Sequence, residues 1–199
     1  MAQLRQVAEE DRATLYEICL RTGNQGGDAR DLYRYPELLG DIYVGPYLEL
    51  APACCHVIED DLGVGGYVVG ASDTIGFEQV CTIRWWPGLQ RRYPLSLTTG
   101  SATESARLRQ IHAPRRTPST LTASYPAHLH INLLPRLQGR GFGRQLIDHF
   151  RAVAAEQGAP GLHLIAGIEN TRACAFYHHY GFRELGRQQG AVAFGIATA

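Results

Sequence analysis

The sequence predicts an α/β fold: a central mixed, twisted sheet of about seven strands flanked by helices, with a long insertion (84–126) before the fourth strand. Three features predict it. Between Ala127 and Tyr180 the order is strand, glycine turn, helix, strand, helix, which sets parallel strands side by side. Strand pairs at 54–71 and 183–197 flank this unit, and their short turns make them antiparallel hairpins. Between Arg84 and Pro126 the periodicity lapses while Pro, Ser, Thr and Arg accumulate.

Taken in order, residues 3–7 alternate as a first strand. Residues 8–20 carry Ala13, Leu15, Tyr16 and Ile18 at helical spacing behind Glu9, Glu10 and Asp11, acids that suit the positive end of a helix. Residues 22–27 break the helix, and helical stretches at 32–40 and 42–50 lead to Pro52. Residues 54–58 and the Gly- and Val-rich 64–71 form a hairpin around 60–62. Residues 80–86 are expected to add a strand. The insertion holds seven Arg against one acid, Glu104, with a helix expected at 101–111. A structureless loop of this length is unusual in a compact domain, so the segment is expected to be functional or partly mobile.

The C-terminal third is the most regular. A strand at 127–134 precedes the glycine turn. The helix at 142–158 places Leu146, Ile147, Phe150, Val153 and Ala154 on one face and stops at Gly158. A strand at 162–168, a helix at 171–180 stopped by Gly181, and a hairpin of 183–188 with 191–197 complete the chain. All of 1–199 is expected to be one domain.

Composition narrows the function. The 199 residues are 45% hydrophobic and 19% charged with formal net charge zero, as in ordinary globular proteins. No global field directs the chain to nucleic acid or to an anionic membrane. All nineteen Lys-plus-Arg residues are Arg, which excludes Schiff-base and Lys-base chemistry. The five cysteines form no CxxC pair and are odd in number, which points to a reducing compartment. With a polar N-terminus and no apolar run of membrane-spanning length, a cytoplasmic protein is expected. The histidines show no metal-ligand spacing, so no metal is expected.

The chemistry concentrates at Gln138-Gly139-Arg140-Gly141-Phe142-Gly143. A helix starts directly after this turn, so its first N–H groups lack partners and its positive dipole end faces an approaching anion. Gly139 frees the turn, and Gly141 and Gly143 carry no Cβ to keep phosphate oxygens from the amides. Arg140 and Arg144 add charge at the rim. The P-loop pattern fails for want of Lys, and the dinucleotide pattern GxGxxG fails on spacing.

The turn resembles the acetyl-CoA signature R/Q-x-x-G-x-G/A of the GCN5-related N-acetyltransferase (GNAT) superfamily. Asn170-Thr171-Arg172-Ala173-Cys174-Ala175-Phe176-Tyr177-His178-His179-Tyr180-Gly181-Phe182 resembles the second hallmark of the same family. Upstream, Cys54 to Asp61, Gly65-Gly66-Tyr67 and Arg84 to Pro94 are similar to the acetyltransferase-like C-terminal domain of O-GlcNAcase and its bacterial stand-alone homologues. No glycosidase domain is expected within these residues, so hydrolase activity does not follow from the likeness.

The resemblance implies a GNAT fold and acetyl-CoA as co-substrate. It assigns the backbone of Leu133 and Leu134 to the acetyl and pantetheine parts, and Gln138 to Arg144 to the pyrophosphate. It gives Asn170 to the pantetheine arm and Tyr177 to protonation of the leaving thiolate. For the acceptor side, His128 and His130 lie on one face of their strand and offer a base of suitable pKa. Asp73 is a further candidate for orienting substrate or acting as base, and Trp85 and Trp86 for walling a pocket.

Two functions remain open at this level: acetyl transfer from acetyl-CoA to an amine, and a module that holds acetyl-CoA or a partner protein without turnover. Nucleic-acid binding through the Arg-rich insertion is disfavoured by the neutral chain and the lack of a binding motif. Neither the acceptor nor the oligomeric state is legible.

Overall fold

The computed structural model describes residues 2–198. Its elements are β1 (Gln3–Gln6), α1 (Arg12–Arg21), α2 (Leu38–Tyr43), α3 (Gly45–Leu50), β2 (His56–Asp60), β3 (Gly63–Ala71), α4 (Thr74–Arg84), α5 (Trp86–Arg92), α6 (Ala102–His112) and α7 (Ser119–Thr122), followed by β4 (Ala127–Leu133), α8 (Phe142–Glu156), β5 (Gly161–Gly167), α9 (Thr171–Tyr180), β6 (Arg183–Gln188) and β7 (Ala191–Ala197). The seven strands form one sheet in the order β1-β2-β3-β4-β5-β7-β6. Only β4 and β5 run parallel; the other neighbours are antiparallel.

Strand alternation divides the core between the two faces. On one, Val57, Tyr67 and Val69 pack with Leu15 and Ile18 of α1, Leu38 and Leu39 of α2, and Leu108 and Ile111 of α6. On the other, Ile58, Val68, Leu129, Leu162 and Leu164 receive Leu146, Ile147, Phe150 and Ala154, the predicted stripe of α8. A fully buried side chain of this kind contributes ~1.5–3 kcal/mol.

The expected strand at 80–86 is wrong: residues 74–84 are helix α4. Asp73 caps it, its carboxylate accepting from Gly76 N–H at 3.1 Å. The side chains turned inward are Thr74, Phe77, Glu78 and Cys81, a helical i, i+3, i+4, i+7 series, while Ile83 is exposed. The β-branched residues Val80, Thr82 and Ile83 obscured that series.

The insertion is also more regular than expected. It holds α5, α6 and α7, and it buries Leu89, Tyr93, Leu108 and Ile111. Buried Asp41 docks α5 onto α2. Its carboxylate accepts from Tyr16 Oη at 3.0 Å and Tyr93 Oη at 2.8 Å and pairs with Arg92 at 3.0 Å, while its carbonyl accepts from Trp85 Nε1 at 2.9 Å. No helix among the described residues is long and apolar enough to cross a membrane.

Candidate active site

The site begins where the sheet opens. β4 pairs with β3 from His128 to Leu133, and β5 pairs with β7 along its whole length. Between them, however, the pairing stops after Ala127 with Leu162 and His128 with His163. Each strand is held by its outer neighbour, so the two diverge and leave a wedge in the middle of the sheet. Leu134 N–H bonds Gly65 O on the β3 side at 2.8 Å. Alternation therefore turns Leu133 N–H and C=O into the wedge. Gln138 Nε2 donates to that carbonyl at 2.6 Å, which ties the glycine turn to the strand.

The turn has the geometry its glycines predict. Gly139 and Gly141 have φ of 71° and 84°, in the left-handed region that L side chains rarely adopt. A Cβ on either would meet no atom within 4 Å, so their outer side is open. Gly141 is the N-cap of α8 and directs the first amides of that helix outward. Arg136 braces the turn from below through Asp60 at 3.2 Å and Gly63 O at 2.9 Å. Gly143 has a different role from the one expected: a Cβ there would lie 3.0 Å from Phe176 Cζ, so its smallness admits α9 rather than a phosphate. Arg140 and Arg144 are exposed, with Arg140 over the Phe142 ring and Arg144 over the Tyr180 ring.

Across the turn, α9 presents its first residues. Asn170 caps it, its side-chain oxygen accepting from Ala173 N–H at 3.2 Å. Tyr177 is buried among Phe176, Phe182 and Phe194. Burial is the main cause that raises its phenol above the usual range, so it is protonated at neutral pH.

On the opposite face of the wedge lies a cavity of about 190 Å³. His128 and His130 of β4 and His163 and Ile165 of β5 line it, together with Tyr43, Tyr47 and Phe77. The insertion supplies Trp86, Gln110 and Pro114 to Thr117. Burial is the main cause that holds all three imidazoles neutral: His130 is lowered to about 4 and His128 well below its usual value, each with a further push from neighbouring imidazoles, while His163 is lowered by burial against hydrogen bonds to the backbone that favour its charged form. Tyr47 stacks on Phe77 at 4.5 Å and bonds both His128 Nε2 (2.8 Å) and His130 Nε2 (3.2 Å) through its hydroxyl.

Comparison with known proteins identifies this arrangement. The model of the acetyltransferase (GNAT) domain matches residues 114–184. The crystal structure of SsHAT is 35% identical over 100% of this chain and 98% of that one, with a TM-score of 0.93. The chain belongs to the GNAT superfamily. It is also 24% identical to protein O-GlcNAcase of Rattus norvegicus over 94% of its length, and it spans about a fifth (20%) of that relative. A shorter likeness, 44% identity over 50 residues, joins it to mycothiol acetyltransferase of Jonesia denitrificans, covering 25% of this chain and 16% of that one. The structure of yncA from Salmonella typhimurium with its cofactor acetyl-CoA shares the fold: TM-score 0.57 and 14% identity over 100% of this chain and 94% of that one.

Within this GNAT fold, Leu133 and Leu134 end the strand that borders the wedge, Gln138 to Arg144 form the turn tied to it, and His128 and His130 share the cavity, while Asn170 caps α9 and Tyr177 is packed in the core cluster with Leu146, Phe150 and Phe194. Two candidates fall elsewhere. Asp73 is exposed and occupied as a helix cap, and Trp85 is committed to Asp41 and to packing against Gly45. Trp86, its neighbour, lines the cavity instead. Tyr47, Thr74 and His163 carry no local signal. They reach the site from α3, α4 and β5, elements that only the sheet brings together.

Proposed function

We propose that the chain moves the acetyl group of acetyl-CoA directly to an amine acceptor. The observation that carries this reading is the two-sided wedge: open glycine amides at the start of α8 on one side, and a cavity of neutral imidazoles on the other. The residues present fit acetyl-CoA, which would supply the activated thioester. Gly139, Gly141 and the first amides of α8 suit the pyrophosphate, and Leu133 N–H, Leu134 and Asn170 suit the pantetheine chain. A neutral imidazole at His128 or His130 takes the proton from the amine, and Tyr177, protonated and buried, gives one to the departing thiolate.

The cavity's 190 Å³ is below the ~300–1,000 Å³ typical of drug-sized sites, which favours a small amine or a single side chain. Arg115 and Arg116 are exposed at its lining, which favours acceptors with negative charge beyond the amine. The five free thiols suit a reducing, cytoplasmic setting, and the whole chain acts as one domain.

The test is acetyl transfer across a panel of amines and peptides, beside calorimetry of acetyl-CoA binding. Binding with no transfer to any acceptor would favour a non-catalytic module. Tyr177→Phe is expected to keep acetyl-CoA affinity and to slow transfer by ~10²-fold; unchanged turnover would return Tyr177 to packing alone. Replacing both Arg115 and Arg116 with Gln should raise KM for anionic acceptors several-fold, with kcat and neutral acceptors little affected. An equal effect on both acceptor classes would remove the charge argument.

A further inference from the structure

The hydrogen bonds behind the cavity have only one consistent direction. Thr74 Oγ1 lies 2.6 Å from Pro126 O, and a carbonyl only accepts, so the single Thr74 hydroxyl proton is used there. Thr74 Oγ1 also lies 2.8 Å from His128 Nδ1, and with its own proton spent it must accept from that nitrogen. His128 is neutral, so a proton on Nδ1 leaves Nε2 bare, and Nε2 accepts from Tyr47 O–H at 2.8 Å. Tyr47 has then used its only proton. Its oxygen accepts from His130, which must carry a proton on Nε2. His130, also neutral, is left with its lone pair on Nδ1.

The same accounting separates the three cavity imidazoles. His128 has both nitrogens engaged. His163 donates from Nδ1 to Tyr125 O at 2.7 Å and keeps a bare Nε2, but it is only 2% exposed. His130 is half-buried, lines the cavity and has a nitrogen that can accept.

We propose that Thr74 and Tyr47 are positioning residues that fix His130 as its Nε2–H tautomer, making His130 Nδ1 the proton acceptor for the amine. The base assignment rests on the acetyl-transfer reading above; the tautomers do not. As the acceptor nitrogen bonds the acetyl carbon, the carbon–sulfur bond of the thioester breaks, its electron pair leaves on the sulfur that Tyr177 protonates, and one of the N–H bonds of the amine breaks. The electron pair stays on that nitrogen and the proton joins His130 Nδ1. The imidazolium so formed strengthens its Nε2–H bond to Tyr47. The chain ends at the Pro126 carbonyl, which cannot take a proton, so the charge stays at the cavity.

Histidine side-chain ¹⁵N spectra of the whole protein at neutral pH read the tautomers without any ligand. The expected result is Nε2–H for His130 and Nδ1–H for His128. In Thr74→Val the His128 ring loses its fixed acceptor, Tyr47 is free to reverse, and His130 should become a mixture although Thr74 does not touch it. Thr74→Ser should restore the single form. Tyr47→Phe should release His130 while leaving His128 as Nδ1–H, and should lower turnover without changing acetyl-CoA affinity. His130→Gln should slow transfer ~10²-fold. The opposite tautomers, or a His130 signal unmoved by Thr74→Val, would overturn the positioning role. Wild-type turnover in His130→Gln, with tautomers as expected, would overturn the base assignment alone.

Discussion

Gly141→Val is expected to abolish acetyl-CoA binding while leaving the fold of the unliganded protein recognisable. At 84°, the φ of Gly141 is one that a β-branched residue adopts only under strain, of order 1–3 kcal/mol. The space around its Cβ position is empty of protein, so the substitution meets no clash from within. What it obstructs is the approach to the first amides of α8. A ligand at about a hundred times its dissociation constant stabilises by ~2.7 kcal/mol, which is a rise in Tm of roughly 5–10 °C for a chain of this size. The wild type should show that rise with acetyl-CoA and the variant should not. Circular dichroism of both without ligand separates lost binding from lost structure. Absence of binding heat in the wild type would end the acetyl-CoA reading.

Stability is expected to fall steeply as pH drops below about 6.5, the ordinary value for histidine. His56 and His130 are both lowered to about 4 in the folded state, and His128 and His163 are lowered too, burial being the main cause in each. The unfolded chain takes up protons from pH 6.5 downward that the folded chain refuses. Stability contributed by these groups is therefore complete above 6.5 and is lost as pH falls towards 4. His56 and His130 alone amount to at most ~3 kcal/mol each over that window. Against a typical total of ~5–15 kcal/mol this is enough to bring on acid unfolding. His56 faces His149 at 4.1 Å, and His56 Nδ1 and His149 Nε2 have no hydrogen-bond partner among the described residues, so no partner there compensates a charge. Urea midpoints at pH 7.5, 6.0 and 5.0 measure the loss. A midpoint unchanged across that range would mean that these rings are solvated.

The structure also changes how the insertion can be tested. Removing residues 97–119 would take away α6 and with it Leu108 and Ile111, both fully buried. Large-to-small changes at such positions cost ~2–5 kcal/mol each, so that deletion would report on folding before it reported on acceptor choice. Point changes at Arg115 and Arg116 avoid the difficulty.

What the sequence determined by itself is the part encoded within one element or one turn. The stripe of α8, the glycines at 139 and 141, the Asn170 cap and the flanking hairpins are local patterns, and each was legible from its own few residues. The glycine-turn side of the wedge is built almost wholly from such patterns. The cavity side is not. Helix α6 was legible at 101–111, but α5 (Trp86–Arg92) and α7 (Ser119–Thr122) are too short to show a periodicity of their own. The β-branched residues in α4 read as a strand until the sheet face that the helix packs on is known. Only the tertiary structure decided that β4 and β5 separate after His128, because the separation comes from pairing with β3 and β7 on their far sides. And only it brought Tyr47, Thr74 and Pro126 to the two histidines of β4, fixing their protons by which neighbouring oxygen can donate and which can only accept.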